Sequence, residues 1–148
     1  MVQITAGDSH TVALTETGKA WYWGTFRDSS GPFGLSPANP GSKMERTPVP
    51  LAHDKEVVKV ASGSDHVLLL DREGSVYSVG TGEQGQLGRV GPRLATARGG
   101  RTGIRMLLQP EKVMAKPKKK FQVCDNMGYI FLLHKAQSIL TTFFYLFI

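Results

Sequence analysis

Two histidines and two aspartates sit in stretches that nearly copy each other. Ile4–Leu14 reads ITAGDSHTVAL, and fifty-six residues later Val60–Leu70 reads VASGSDHVLLL. His10 and His66 fall on one repeat position, whereas the acid moves from Asp8 to the place of Ser9, becoming Asp65. A histidine near neutral pH can act as a general base or ligate a metal. No second ligand lies at suitable spacing from either histidine, so the pair reads as buried, hydrogen-bonded parts of a scaffold. An aspartate in a turn ordinarily bonds local backbone N–H groups. Its second use is to present charge to a partner, and the shift shows that the scaffold requires an acid at neither position. Asp65, the shifted acid, is therefore the one worth naming as a candidate site.

Other chemistry is thin. GEQGQLG (Gly82–Gly88) lacks both the Lys-Ser/Thr of a P-loop and the GxGxxG order. The single cysteine, Cys124, excludes an intrachain disulfide and a cysteine-built metal site, and fits a reducing compartment. We expect no metal, no cofactor and no covalent catalysis. Charge is the stronger signal. Residues 85–120 hold ten basic residues and one acid, while the remainder holds eight basic and eleven acidic residues. A basic segment in a mildly acidic chain points to a polyanionic partner or to a solvated loop. Lys116-Pro-Lys-Lys-Lys120 reads as a nuclear localisation signal, a polyanion contact or solvated loop. The chain opens without a secretory signal. Its apolar tail, interrupted at His134, Lys135, Gln137 and Ser138, is too short for a membrane helix and reads as a buried or aggregation-prone strand.

The elements that carry these residues repeat as a unit. Residues 4–24 align on 60–80 without a gap, matching Gly7 with Gly63, Leu14 with Leu70, Gly18 with Gly74, Trp21 with Tyr77 and Gly24 with Gly80. A period near fifty belongs to propellers and solenoids. Each unit reads as an apolar strand, a Gly turn and an aromatic-bearing strand, which is a β-hairpin. Residues 1–24 form the first repeat hairpin, 25–56 an insertion and Pro-rich irregular loop, and 57–90 the second repeat. Residues 91–120 form a basic loop with a short helical turn within Arg98–Leu108, ended by Pro110. Residues 121–148 form a degenerate third repeat or an aberrant apolar tail, because no glycine follows Gly128.

AGDSHTVALTETGKAWYWG and ASGSDHVLLLDREGSVYSVG resemble the repeat of the regulator of chromosome condensation family, whose members are seven-bladed β-propellers. The intervening GTFRDSSGPFGL, GEQGQLGRV and RGGRTGIRMLLQPEKVM extend the likeness over residues 2–122, toward the family's nuclear exchange factor for the small GTPase Ran. The resemblance implies an all-β, partial propeller of two blades and a degenerate third, and exchange without covalent chemistry. It implies a GTPase-pressing wedge at Phe26, Arg27, Asp28, Ser29, Ser30 and Gly31, with Pro32 as a departure inside it. It places Asp65 and Asp8 on the loops of one propeller face, where acids act in exchange. Arg98, Arg101, Lys116, Lys118, Lys119 and Lys120 stand where a loop contacts the nucleosome, with lysine replacing arginine and losing bidentate pairing to carboxylates.

Expected partners are thus Ran and nucleosome or DNA, with no membrane, in the nucleus on chromatin or else in the cytoplasm. The alternative is a repeat module that binds chromatin or other proteins without exchange activity. Seven blades at this period need about three times the chain's length, so the chain reads as a fragment or truncated form.

Overall fold

The computed structural model describes residues 1–36, 42–51, 54–89, 103, 106–113, 123–124 and 129–130. It divides into two compact units, Met1–Val113 and Met114–Ile148.

The first unit contains two four-stranded antiparallel sheets. One has the order β1 (Gln3–Ala6), β2 (His10–Leu14), β3 (Ala20–Gly24) and β6 (Glu45–Pro50). The other runs β7 (Val57–Ser62), β8 (His66–Asp71), β9 (Val76–Gly80) and β10 (Glu111–Lys112). The hairpin registers are copies: His10 faces Gly24 and Leu14 faces Ala20, as His66 faces Gly80 and Leu70 faces Val76. Between β3 and β6 lies a separate two-stranded hairpin, β4 (Phe26–Asp28) and β5 (Gly31–Gly34). The second unit holds a short pairing of β11 (Val123–Cys124) with β12 (Tyr129–Ile130). It falls where the sequence has the apolar content of a third repeat.

The outermost strand of each sheet lies where the sequence reads as loop. β6 contains Pro48 and Pro50, and it survives because it is an edge, where a residue without an N–H breaks no ladder. β10 is two residues long, inside the basic segment. Residues 103 and 106–108 are helical, followed by Pro110, in keeping with the expected short turn.

The hydrophobic core is built from Val12, Leu14, Tyr22, Val57, Val60, Val67, Leu69 and Val79, joined by Leu35, Leu87, Leu107 and Leu108 from the connections. The inner strands β1 and β7 are joined by side chains acting as backbone. The Gln3 amide donates to the Val60 carbonyl at 2.8 Å and accepts from the Val60 N–H at 3.0 Å. The Thr5 hydroxyl accepts from the Ser62 N–H at 3.1 Å. One primary amide can thus replace a ladder peptide between two sheets that do not share a ladder.

The closing glycines explain part of the repeat. Gly24 and Gly80 have φ of 100° and 124°. A Cβ on Gly24 would lie 2.2 Å from the Ser9 carbonyl oxygen and 2.8 Å from the His10 Cα. On Gly80 it would lie 2.5 Å from the Asp65 carbonyl oxygen and 2.6 Å from the His66 Cα. Glycine and histidine recur together because the histidine strand's entry turn packs on bare backbone.

Candidate interaction site at the blade junction

Each sheet leaves its third strand through the same joint. The Thr25 N–H donates to the Ser9 carbonyl at 2.8 Å, and the Thr81 N–H to the Asp65 carbonyl at 2.9 Å. Downstream, the Tyr22 hydroxyl donates to the Leu35 carbonyl at 2.7 Å, and the Ser78 hydroxyl to the Leu87 carbonyl at 2.7 Å. The path from Thr25 to Leu35 is four residues longer than that from Thr81 to Leu87. Those extra residues let the first connection fold out as the β4–β5 hairpin, whereas the second closes as a compact turn.

The hairpin is anchored at three levels. At its root Phe26 is fully buried, with its ring centroid 4.8 Å from that of His10 in an edge-on contact. Phe26, one of the residues expected in the wedge, is thus a buried anchor at the root of the hairpin. The Thr25 hydroxyl accepts from Gly34 N–H at 3.2 Å and donates to the Phe26 carbonyl at 3.1 Å. Midway, the Arg27 N–H donates to Asp65 Oδ1 at 2.8 Å. At the turn, the Ser29 N–H donates to Glu83 Oε2 at 3.0 Å and its hydroxyl to Oε1 at 2.5 Å. The Ser30 N–H donates to Asp28 Oδ1 at 2.8 Å, closing the turn on itself.

This geometry accommodates Pro32. It pairs with Arg27, whose N–H points away from the hairpin to Asp65. In such a pair neither N–H belongs to the ladder, so the N–H that proline lacks is not needed there.

Asp65, Asp8 and Asp28 gather around this junction. Burial pushes the Asp65 carboxyl up from its ordinary range, and the charges of Asp8 and Asp28 push the same way. The hydrogen bond from Arg27 N–H and the Arg27 charge pull it down. Asp8 itself is exposed, and its N–H donates to the Ser64 carbonyl of the next blade at 2.9 Å. Where a turn aspartate is expected to bond a local N–H, the Asp65 carboxylate instead accepts from a backbone N–H thirty-eight residues away. Arg27, Ser29 and Ser30 are exposed, and Asp28 and Gly31 are partly so.

The histidines are buried, as expected. Burial lowers both to about 4, and for His10 the neighbouring His66 adds to the effect while Asp8 opposes it. The ring nitrogens of His10 have no hydrogen-bond partner among the described residues, so the hydrogen-bonding role expected of it is not seen, and His10 serves by packing against Phe26. Arg98, Arg101, Lys116, Lys118, Lys119 and Lys120 lie outside the described residues.

Two residues of the arrangement carry no mark in the sequence. Glu83 meets Ser29 only because the blades are neighbours. Arg89 counts as one of the basic segment's charges, yet its side chain is only 5% exposed. It bonds the carbonyls of Ser78, Met106 and Gln109 and pairs with Glu111 at 3.1 Å, tying β10 and the helical turn to β9. Its charge is therefore spent inside the fold.

Copied four-stranded antiparallel sheets, packed face to face through their inner strands and joined by like connections, are successive blades of a β-propeller. A family profile described as Regulator of chromosome condensation (RCC1) repeat matches residues 1–31 and 57–86. The chain is 51% identical over 116 residues to the human regulator of chromosome condensation, covering 78% of this chain and 27% of that protein. It is 41% identical over 91 residues to guanine nucleotide exchange factor SRM1 of Saccharomyces cerevisiae, covering 60% of this chain and 18% of that protein. Among solved structures, Prp20p of Saccharomyces cerevisiae, studied for binding to Gsp1p and histones, superposes with a TM-score of 0.63 at 33% identity. The match covers 76% of this chain and 24% of that one. The chain belongs to the regulator of chromosome condensation repeat family. It spans about a quarter of the length of the animal relatives it matches.

Proposed function

We propose that the chain carries the wedge-bearing blades of a guanine nucleotide exchange factor for the nuclear GTPase Ran. The observation that carries the reading is the β4–β5 hairpin. Between Thr25 and Leu35 the first connection is four residues longer than its counterpart between Thr81 and Leu87, and two carboxylates of the next blade hold the outer edge of the hairpin those residues form. A hairpin outside any larger sheet is marginal by itself, and these bonds preorganise it. An exchange factor works by binding the nucleotide-free GTPase more tightly than the loaded form, and by linkage weakens the nucleotide equally. A rigid polar projection suits that work because the cost of ordering it is met before binding. Arg27, Asp28, Ser30 and Gly31 are its contact residues, Ser29 orders its turn through Glu83, and Asp65 and Asp8 supply negative charge beside it. The relatives named for exchange activity support the reading.

Chromatin association is a second component, resting on the basic segment and on the histone binding studied for Prp20p. A nuclear location goes with that proposal. The test of the main reading is release of fluorescent GDP from loaded Ran on adding the purified chain. Acceleration that rises with chain concentration and falls for Arg27→Ala is expected. Release no faster than in buffer removes the reading for this chain.

A further inference from the structure

Strand β4 has the β5 ladder on one side only. The N–H of Arg27 within β4 and that of Ser29 at the turn just beyond it are two residues apart, and both are directed to the second blade rather than to β5. An edge of this kind normally pairs with another strand or is covered. Here a carboxylate from each of two second-blade turns takes one N–H: Asp65 at Arg27 and Glu83 at Ser29. Together they replace a neighbouring strand. Glu83 does more, because its second oxygen accepts the Ser29 hydroxyl, fixing both the backbone and the side chain at the turn. Asp65 holds the middle of the wedge while Glu83 holds its end, where a small angular error makes the largest displacement.

We propose that Glu83 is a positioning residue for nucleotide exchange, setting the direction of the wedge turn through Ser29 without touching the GTPase. The proposal rests on the exchange reading above, so its test has one arm that does not. In the first arm, amide hydrogen exchange is measured on the chain alone. Glu83→Ala exposes the Ser29 N–H, and exchange there rises at least tenfold while β2 and β8 amides are unchanged. Glu83→Gln keeps one acceptor and gives an intermediate rise.

In the second arm, GDP release from Ran is followed at saturating chain. Displacing a positioning element by about 1 Å can cost up to a hundredfold, so Glu83→Ala is expected to slow maximal release roughly ten- to a hundredfold. Glu83→Gln restores part of the loss. Ser29→Ala slows release less than Glu83→Ala, and the double variant is no slower than Glu83→Ala alone, because both changes cut one link. Ser29 exchange unaltered in Glu83→Ala overturns the proposal whatever the activity. So does maximal release within twofold of wild type, or a double variant with additive losses. If the wild-type chain releases no GDP, the exchange reading fails and Glu83 has no exchange role to play; altered Ser29 protection would then show only that it orders the hairpin.

Discussion

Mild acid should unfold this protein through its two repeated histidines. Both are held neutral by burial, with pKa lowered from 6.5 to about 4. As pH falls through 6.5 the unfolded chain takes up two protons that the native chain refuses until about pH 4. Their contribution to stability is therefore complete above pH 6.5 and is lost on the way down to 4. Between pH 7 and 5 each histidine costs about 2 kcal/mol, and the pair about 4 kcal/mol, by proton linkage. That is a large share of the roughly 5–15 kcal/mol that holds a domain together. Asp65 works the other way, because its raised pKa gives stability that is complete below about pH 4 and is lost as pH rises through its folded value. Its contribution therefore has the opposite sign to that of the histidines. Urea unfolding at pH 7, 6 and 5, followed by the fluorescence of Trp21 and Trp23, measures the net effect. His10→Gln removes one of the two protons and should roughly halve the slope of stability against pH. A wild-type change under about 1 kcal/mol between pH 7 and 5 would refute the reasoning, since it would mean that these imidazoles can charge in place.

Gly24→Ala should lower unfolding free energy by at least about 3 kcal/mol, because it adds a backbone clash to a positive φ. Gly31→Ala, at a similar φ with nothing within 4 Å, should cost only about 1–2 kcal/mol, and denaturant midpoints of the two variants compare them directly. Arg89→Met should destabilise by about 3 kcal/mol in the same assay, since it leaves three carbonyls without their donor and breaks a partly buried ion pair.

Much of this architecture could be read from residues near each other along the chain. The two hairpins, their Gly turns and the burial of the histidines follow from apolar runs and repeat spacing. The segment that forms β4 and β5 stands out in the sequence because it interrupts the repeat, yet Phe26 could not be told from its neighbours there. A phenylalanine at a hairpin root and one at a hairpin tip look alike until the ring is seen against His10. β6 was hidden by its own prolines, which argue against strand everywhere except at an edge, and edges exist only in the assembled sheet.

The difference is one of range. The chain's order of residues was enough for the blade repeat and its closing glycines, because turns and strand pairs of a hairpin are settled by neighbours. The roles of Asp65, Glu83 and Arg89 depend on packing one blade on another and on closing each blade with a distant outer strand. Asp65 and Glu83 reach N–H groups thirty-eight and fifty-four residues back, and Arg89 reaches carbonyls up to twenty residues onward. No local pattern encodes such pairings, since a carboxylate or guanidinium on a turn is equally at home in water. Only the approach of the blades removes that water and selects its partner.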